Sequence, residues 1–332
     1  MMKKDTIKFV IIGSGNIAST YLSAIKNITN AEVVGIVSSK TNKPEVLNHL
    51  PFFKAISEIT INFDAVIICT PNGLHHVSAI EAATLGKHVL CEKPIDITLE
   101  SIDKMIDSCK ENNVKLAVVY QRRYSSDNPI VKKLIDENKL GKIFSVDLSI
   151  KNYRDDNYYN SSAYRGTYNI DGGGPFIQQA SHYIDLYYWY FGKPAKLVSK
   201  LGTFVHDIEV EDHGAAICVH NSGMIATITA STAAKPGFPA KMEIYTSKGY
   251  LILENDVITH WDIEGLDNPT SVKSNENTHT GAATASVSDT TNHETVLNNF
   301  VDAINTNSEL LVSGESARNA TEIILDIYKN QF

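Results

Sequence analysis

The chain of 332 residues predicts an α/β protein: a doubly wound parallel sheet, followed by an α+β domain with a large, mostly antiparallel sheet. Three observations carry that expectation. Short apolar runs alternate with helical patterns up to about residue 122, strand-like runs then follow one another across short turns, and the length exceeds what one hydrophobic core usually organises. The change of pattern sets expected domains at 1–122 and 123–332.

Ile7 to Ile12 is a short apolar run without helical periodicity, ended by Gly13, and Ile17 to Asn27 then reads as a helix. Glu32 to Val37 follows as a second strand, at the spacing of a βαβ unit. Ala65 to Thr70 is a third, bounded by Pro71-Asn72-Gly73. The alternation continues with a helix from His75 to Leu85, a strand from His88 to Cys91, a helix from Leu99 to Asn112 and a strand from Lys115 to Val119. Beyond these, a helix at Pro129 to Asn138 precedes strands at Ile143 to Ile150, Leu197 to Phe204, Ala215 to His220, Met224 to Ser231, Met242 to Thr246 and Tyr250 to Leu253. Strands joined by short turns pair antiparallel. A Tyr/Asn/Asp-rich loop and a helix at about Pro175 to Phe191 sit between the first two. A polar stretch, Asn268 to Asn292, reads as a surface loop before closing helices at Glu294 to Asn305 and Glu315 to Lys329.

Composition narrows the function. Hydrophobic residues at 43% and charged residues at 20% exclude wholesale disorder, and a net charge of -8 disfavours nucleic acid or an anionic membrane as partner. The run Phe9 to Ile12 is too short for a signal sequence, and no stretch reaches the roughly 20 apolar residues that span a bilayer. A cytoplasmic protein acting on a small molecule is expected. Cys69, Cys91, Cys109 and Cys218 form no C-x-x-C pair and read as buried thiols. The histidines show no metal spacing, so no metal is expected.

Gly13-Ser14-Gly15-Asn16-Ile17-Ala18 has the dinucleotide form G-x-G-x-x-A. Gly13 permits the turn, Gly15 lets a pyrophosphate approach the backbone, and Ala18 lets helix and strand pack closely. The N–H groups around Asn16 and Ile17 open the helix and would receive phosphate. Strand before and helix after make this a Rossmann-type site for NAD(P). At the end of the second strand a carboxylate would favour NAD. Ser38-Ser39-Lys40 offers hydroxyls and a cation instead, which tilts the expectation toward NADP.

Cys91-Glu92-Lys93-Pro94 follows the fourth strand, and Glu-Lys-Pro at that place in a GxGxxA domain resembles the Gfo/Idh/MocA oxidoreductases. The likeness covers nearly the whole chain. It extends through Thr70-Pro71-Asn72-Gly73-Leu74-His75, Gly86-Lys87-His88-Val89, Gln121-Arg122-Arg123 and Gly172-Gly173-Gly174 to His182-Tyr183-Ile184-Asp185. The resemblance implies an open second-domain sheet that packs against a partner subunit, hence a homodimer or homotetramer. It also implies cofactor contacts at Thr70, Pro71, Asn72, His75, Glu92, Lys93 and Gln121, with Lys93 near the nicotinamide and His182 facing it from the second domain.

Such a pair suits hydride transfer, because hydride leaves carbon only as the hydroxyl proton is removed. Histidine titrates near neutrality and is assigned as base, and the Lys93 ammonium stabilises developing alkoxide. Many family members carry Asp four residues before the histidine; Gln178 stands there and cannot titrate, but can bind substrate or orient His182 from the preceding turn.

Tyr158-Tyr159, Tyr164-Arg165-Gly166-Thr167-Tyr168, Asp171-Gly172-Gly173, Gln179-Ala180-Ser181-His182-Tyr183 and the acidic run to Asp212 resemble the UDP-N-acetylglucosaminuronate 3-dehydrogenases. That implies oxidation of a nucleotide-sugar C3 hydroxyl, with Tyr164, Arg165, Gln178 and Ser181 as substrate contacts. Arg122 and Arg123 are further contacts, one of which could instead brace the domain junction. Glu209 to Asp212 reads as a turn rather than a metal site. Two alternatives stay open: an inositol or free-sugar dehydrogenase, or ketosugar reductase, of the same family; and a non-catalytic NADP-binding regulator.

Overall fold

A computed structural model of the chain describes residues 5–39, 49–270 and 289–332. Strand β1, Ile7–Ile12, is the centre of a six-stranded sheet because nearly every residue in it is apolar and both its faces are covered. Around it stand β2 (Ala31–Val37), β3 (Phe52–Phe53), β4 (Ala65–Ile68), β5 (His88–Cys91) and β6 (Leu116–Val118), in the order β3-β2-β1-β4-β5-β6, every pairing parallel. Between them run α1 (Asn16–Ile25), α2 (His75–Thr84) and α3 (Leu99–Glu111). Thr98 caps α3, its hydroxyl oxygen accepting from the Ser101 amide at 3.2 Å.

Alternate residues of β1 feed two cores. Val10 and Ile12 join Val66, Ile68, the α2 alanines and Ile102, Met105 and Ile106 of α3, whereas Phe9 meets the ring of Phe300 at 6.2 Å. Phe300 belongs to α8 (Thr291–Thr306), which packs beside α1. The chain therefore divides differently from the expected 1–122 and 123–332. One compact unit holds the described residues up to Gln121 together with those from 289 to Arg318, and the other holds those from Arg122 to 270 and from Asn319 onward. The physical reason is that the outer residues of β1 need an apolar cover, and α8 provides it.

The second unit carries a seven-stranded sheet formed by β7 (Ile143–Lys151), β8 (Lys196–Gly202), β9 (His213–Val219), β10 (Ile225–Ser231), β11 (Lys241–Thr246), β12 (Gly249–Glu254) and β13 (Val257–Ile263). Its order is β13-β12-β11-β7-β10-β9-β8, antiparallel throughout except between β7 and β10. Strand β13 was not foreseen. The signal was a two-residue turn, Asn255-Asp256, both at positive φ (46° and 75°), which joins β12 to β13 as a tight hairpin. The two-residue β3 and the short helix α5 (Asp156–Asn160) were also missed. Before the sheet's first strand comes α4 (Asn128–Asp136), and the chain closes with α9 (Gly314–Lys329).

The helix expected at Pro175 to Phe191 is two: α6 (Pro175–Gln178) and α7 (Ser181–Phe191). Ala180 N–H reaches back five residues to the Pro175 carbonyl at 2.8 Å, which ends α6, and α7 restarts from Ala180. Most of the polar stretch Asn268 to Asn292 lies outside the described residues.

Candidate active site

At the end of β1, Gly13 adopts φ 112°, and a Cβ there would lie 2.6 Å from the Cys69 carbonyl oxygen, so only glycine fits. At Gly15 nothing lies within 4 Å of the place a Cβ would take, and Gly15 caps α1 without a side-chain bond to its amides. Exposed Asn16 and half-buried Ile17 begin that helix. An open backbone leading into the first turn of a ten-residue helix is what a pyrophosphate needs, so these residues fit the dinucleotide. Ser38 is buried and its hydroxyl pairs with that of Ser14 at 2.8 Å, so it serves the turn. Ser39 is exposed, and Lys40 lies outside the described residues.

The 3-10 turn Asn72–Leu74 follows Thr70 and Pro71 at the end of β4. Thr70 Oγ1 and Gln121 Oε1 are shielded from solvent without a hydrogen-bond partner among the described residues, which leaves both to a ligand or water. His75 differs from expectation. It is wholly buried, with Nδ1 2.9 Å from the Pro94 carbonyl and Nε2 2.9 Å from the Thr70 carbonyl. The ring therefore ties the β4 loop to the Glu-Lys-Pro turn, with both of its nitrogens occupied by backbone carbonyls.

Lys93 sits half-buried on that turn, just past β5. Its neighbour Glu92 is held on both oxygens: Tyr21 O–H donates to Oε1 at 2.5 Å and the Lys93 amide to Oε2 at 3.2 Å. Burial, followed by the charge of Glu92, raises the Tyr21 hydroxyl well above its usual range, so it stays protonated as donor. Glu92 thus anchors the lysine's backbone. Tyr21 was missed because a buried tyrosine in a helix carries no local mark of such a task.

In the second unit, half-buried Gln178 closes α6 and half-buried His182 opens α7, its Nδ1 shielded from solvent. The break between them corrects the expected helical spacing, since Gln178 does not sit one turn below His182 on one helix. Its amide donates to the Asp171 carbonyl at 2.6 Å. Ser181 is wholly buried, its hydroxyl without a hydrogen-bond partner among the described residues.

The three arginines part company. Arg123 is 3% exposed and grips fully buried Asp185 through Nε at 2.8 Å and Nη2 at 2.5 Å, so it is no substrate ligand but a core ion pair. Arg122 pairs with Asp256 and stacks on Tyr183 at 4.5 Å, and likewise serves its own unit. Arg165 instead lies over the Tyr158 ring at 4.4 Å, with Tyr164 at 6.0 Å, and its Nε is shielded without a hydrogen-bond partner among the described residues. Asp171 holds its loop, accepting from the Gly166 amide at 3.0 Å.

Glu211 and Asp212 are buried and hydrogen-bonded to backbone amides. No group of three or more His, Cys, Asp or Glu side chains arranged for a metal occurs among the described residues. No helix among them is long and apolar enough to cross a membrane.

The model of the oxidoreductase family with an NAD-binding Rossmann fold matches residues 7–120, and that of the GFO/IDH/MocA C-terminal domain matches residues 130–252. Inositol 2-dehydrogenase of Rhizobium meliloti (strain 1021) is 26% identical over 260 residues, 75% of this chain and 76% of the relative. The crystal structure of the WlbA dehydrogenase from Bordetella pertussis in complex with NADH and UDP-GlcNAcA superposes with a TM-score of 0.86 at 27% identity, covering 98% of this chain and 96% of that one. With a dinucleotide turn, a Glu-Lys-Pro turn and both family domains in place, the chain belongs to the GFO/IDH/MocA oxidoreductases.

Proposed function

We propose that the chain is a nicotinamide-dependent dehydrogenase acting on a secondary hydroxyl of a sugar, and that the sugar is a UDP-linked N-acetylhexosaminuronate oxidised at C3. The observation that carries the substrate class is Arg165. Stacked on Tyr158 with a shielded Nε still to be satisfied, its guanidinium is preorganised for an anion, as a uronate carboxylate or a phosphate would supply. A neutral polyol would leave that charge uncompensated. The likeness to a dehydrogenase solved with UDP-GlcNAcA points the same way.

His182 takes the hydroxyl proton, and the Lys93 ammonium stabilises the alkoxide as it forms. When bound, the nicotinamide supplies the hydride acceptor. Gly15 and the start of α1 hold the pyrophosphate, and Glu92, fixed by Tyr21, sets the Lys93 backbone. Gln178 hydrogen-bonds the substrate. With no carboxylate at the end of β2, Ser39 and Lys40 favour NADP over NAD. Exposed apolar residues on the outer face of the second sheet, Val198, Ile217, Val219 and Ile225, form its oligomer contact.

Turnover of UDP-N-acetylglucosaminuronate and identification of its product test the reading, with inositol, the substrate in the name of the Rhizobium relative, as the competitor. Turnover with inositol alone would overturn it. Lys93→Met is expected to lower kcat about a hundredfold while cofactor affinity, read by fluorescence of the reduced nicotinamide, stays near wild type. Unchanged kcat would remove Lys93 from the chemistry.

A further inference from the structure

Gly172-Gly173-Gly174 precedes α6, and the proposed chemistry leaves this triplet without a task. Its neighbours supply one. A Cβ at Gly174 would lie 1.9 Å from the Glu211 carbonyl oxygen and 2.9 Å from its carboxyl carbon, and one at Gly173 would lie 2.3 Å from the Tyr328 hydroxyl. Backbone thus closes directly onto a side chain that is 2% exposed. The Glu211 carboxylate accepts three hydrogen bonds: from Gly174 N–H at 3.0 Å on Oε2, and from Tyr328 O–H at 2.9 Å and Phe176 N–H at 3.4 Å on Oε1. Ionised, it satisfies all three donors. Protonated, it carries a hydrogen of its own among them, and one of the three bonds must weaken or break.

We propose that Glu211 is a positioning residue of the active site: its carboxylate clamps the glycine turn, and so fixes Gln178 on α6 and the start of the helix that carries His182. This rests on the reading of His182 as the base. Glu211 touches no reacting atom and acts through the backbone of Gly174 and Phe176.

The surroundings make the clamp responsive to pH. Its hydrogen-bond partners among the described residues are all neutral. Tyr168 stands edge-on to Tyr328, Glu209 accepts from the Tyr168 amide at 3.4 Å, and Asp212, next in the chain, faces His206 and the amides of Phe204 and Val205. Burial pushes the Glu211 carboxyl up to about 7, against the pull of the Tyr328 hydroxyl and of the Gly174, Glu211 and Phe176 amides. The clamp therefore engages as pH rises through neutrality.

Isotope-labelled glycine makes the Gly174 amide visible by NMR in the full-length protein. Its resonance is expected to titrate with a midpoint near neutrality in the wild type and to lose that titration in Glu211→Gln. The same variant should lose about tenfold in kcat, together with the matching limb of the pH–rate profile, while cofactor affinity is retained. Tyr328→Phe removes one donor with little change of shape, and should move both midpoints to higher pH because the ionised form loses a hydrogen bond. A Gly174 amide that does not titrate in the wild type, or that titrates equally in Glu211→Gln, would overturn the clamp. An amide that titrates as expected while His182→Asn keeps full turnover would uphold the clamp and overturn the reading of His182 instead.

Discussion

Arg123 and Arg165 share a side chain and a taste for aromatic neighbours, yet their surroundings assign them different work. Arg123 holds a carboxylate as buried as itself, and burial raises the Asp185 carboxyl even against that facing guanidinium. Arg123→Ala would strand the Asp185 charge, so a stability loss of about 3–5 kcal/mol is expected in urea titrations, with KM of the surviving folded enzyme little changed. Arg165→Ala should do the reverse, raising KM for the anionic sugar at least tenfold with a stability change under about 1 kcal/mol. In sequence both stood as candidate substrate contacts, and a bracing role was weighed for Arg122 or Arg123 without naming which, because what decides it is the partner, and Asp185 lies 62 positions further along the chain. Glu211 makes a second case. Its acidic run reads as a turn, and nothing local says that folding lifts its carboxyl from 4.5 to about 7. A raised folded-state value means that its contribution to stability is complete below pH 4.5 and is lost as pH rises through about 7. The difference is worth about 3 kcal/mol at roughly 1.4 kcal/mol per pH unit. Urea midpoints of the wild type should therefore fall between about pH 5 and about pH 8 relative to those of Glu211→Gln.

Elements were legible wherever one short-range rule decides them. β1, β5 and α2, which Gly86 stops, are set by apolar period and turn chemistry, and their observed bounds lie within a residue or two of expectation. The break between α6 and α7 was not legible, since no Pro or Gly interrupts Gln178 to Ser181, and the restart comes from the Pro175 carbonyl capturing two amides, those of Gln179 and Ala180. β13 was legible in principle through Asn255-Asp256, a turn chemistry passed over. Gly13 is the element whose replacement has the sharpest consequence. Gly13→Ala combines a φ of 112° with a 2.6 Å approach to Cys69, so it should displace the dinucleotide turn and weaken cofactor binding about tenfold or more, measured by calorimetry.

At the scale of the whole molecule, the alternation of strands and helices made the parallel sheet and its successor readable, and the dinucleotide turn with Glu-Lys-Pro made the family readable. The return of α8 to the first unit was not, because the need it meets, a cover for Phe9 and its row, is set by residues nearly three hundred positions earlier. The outer face of the seven-stranded sheet remains apolar at Val198, Ile217, Val219 and Ile225, on neighbouring strands β8, β9 and β10. Light scattering is expected to give a dimer or tetramer at micromolar concentration, and Ile217→Lys should shift it toward monomer. The central claim, an anionic nucleotide sugar oxidised at a secondary carbinol through Lys93 and His182, meets its most direct test in the rate of reduced-nicotinamide formation with UDP-N-acetylglucosaminuronate, compared in wild type, Lys93→Met and His182→Asn. The account predicts turnover in the wild type and a loss of about a hundredfold or more in each variant; wild-type protein that leaves this sugar untouched, or variants that oxidise it at full rate, would contradict it.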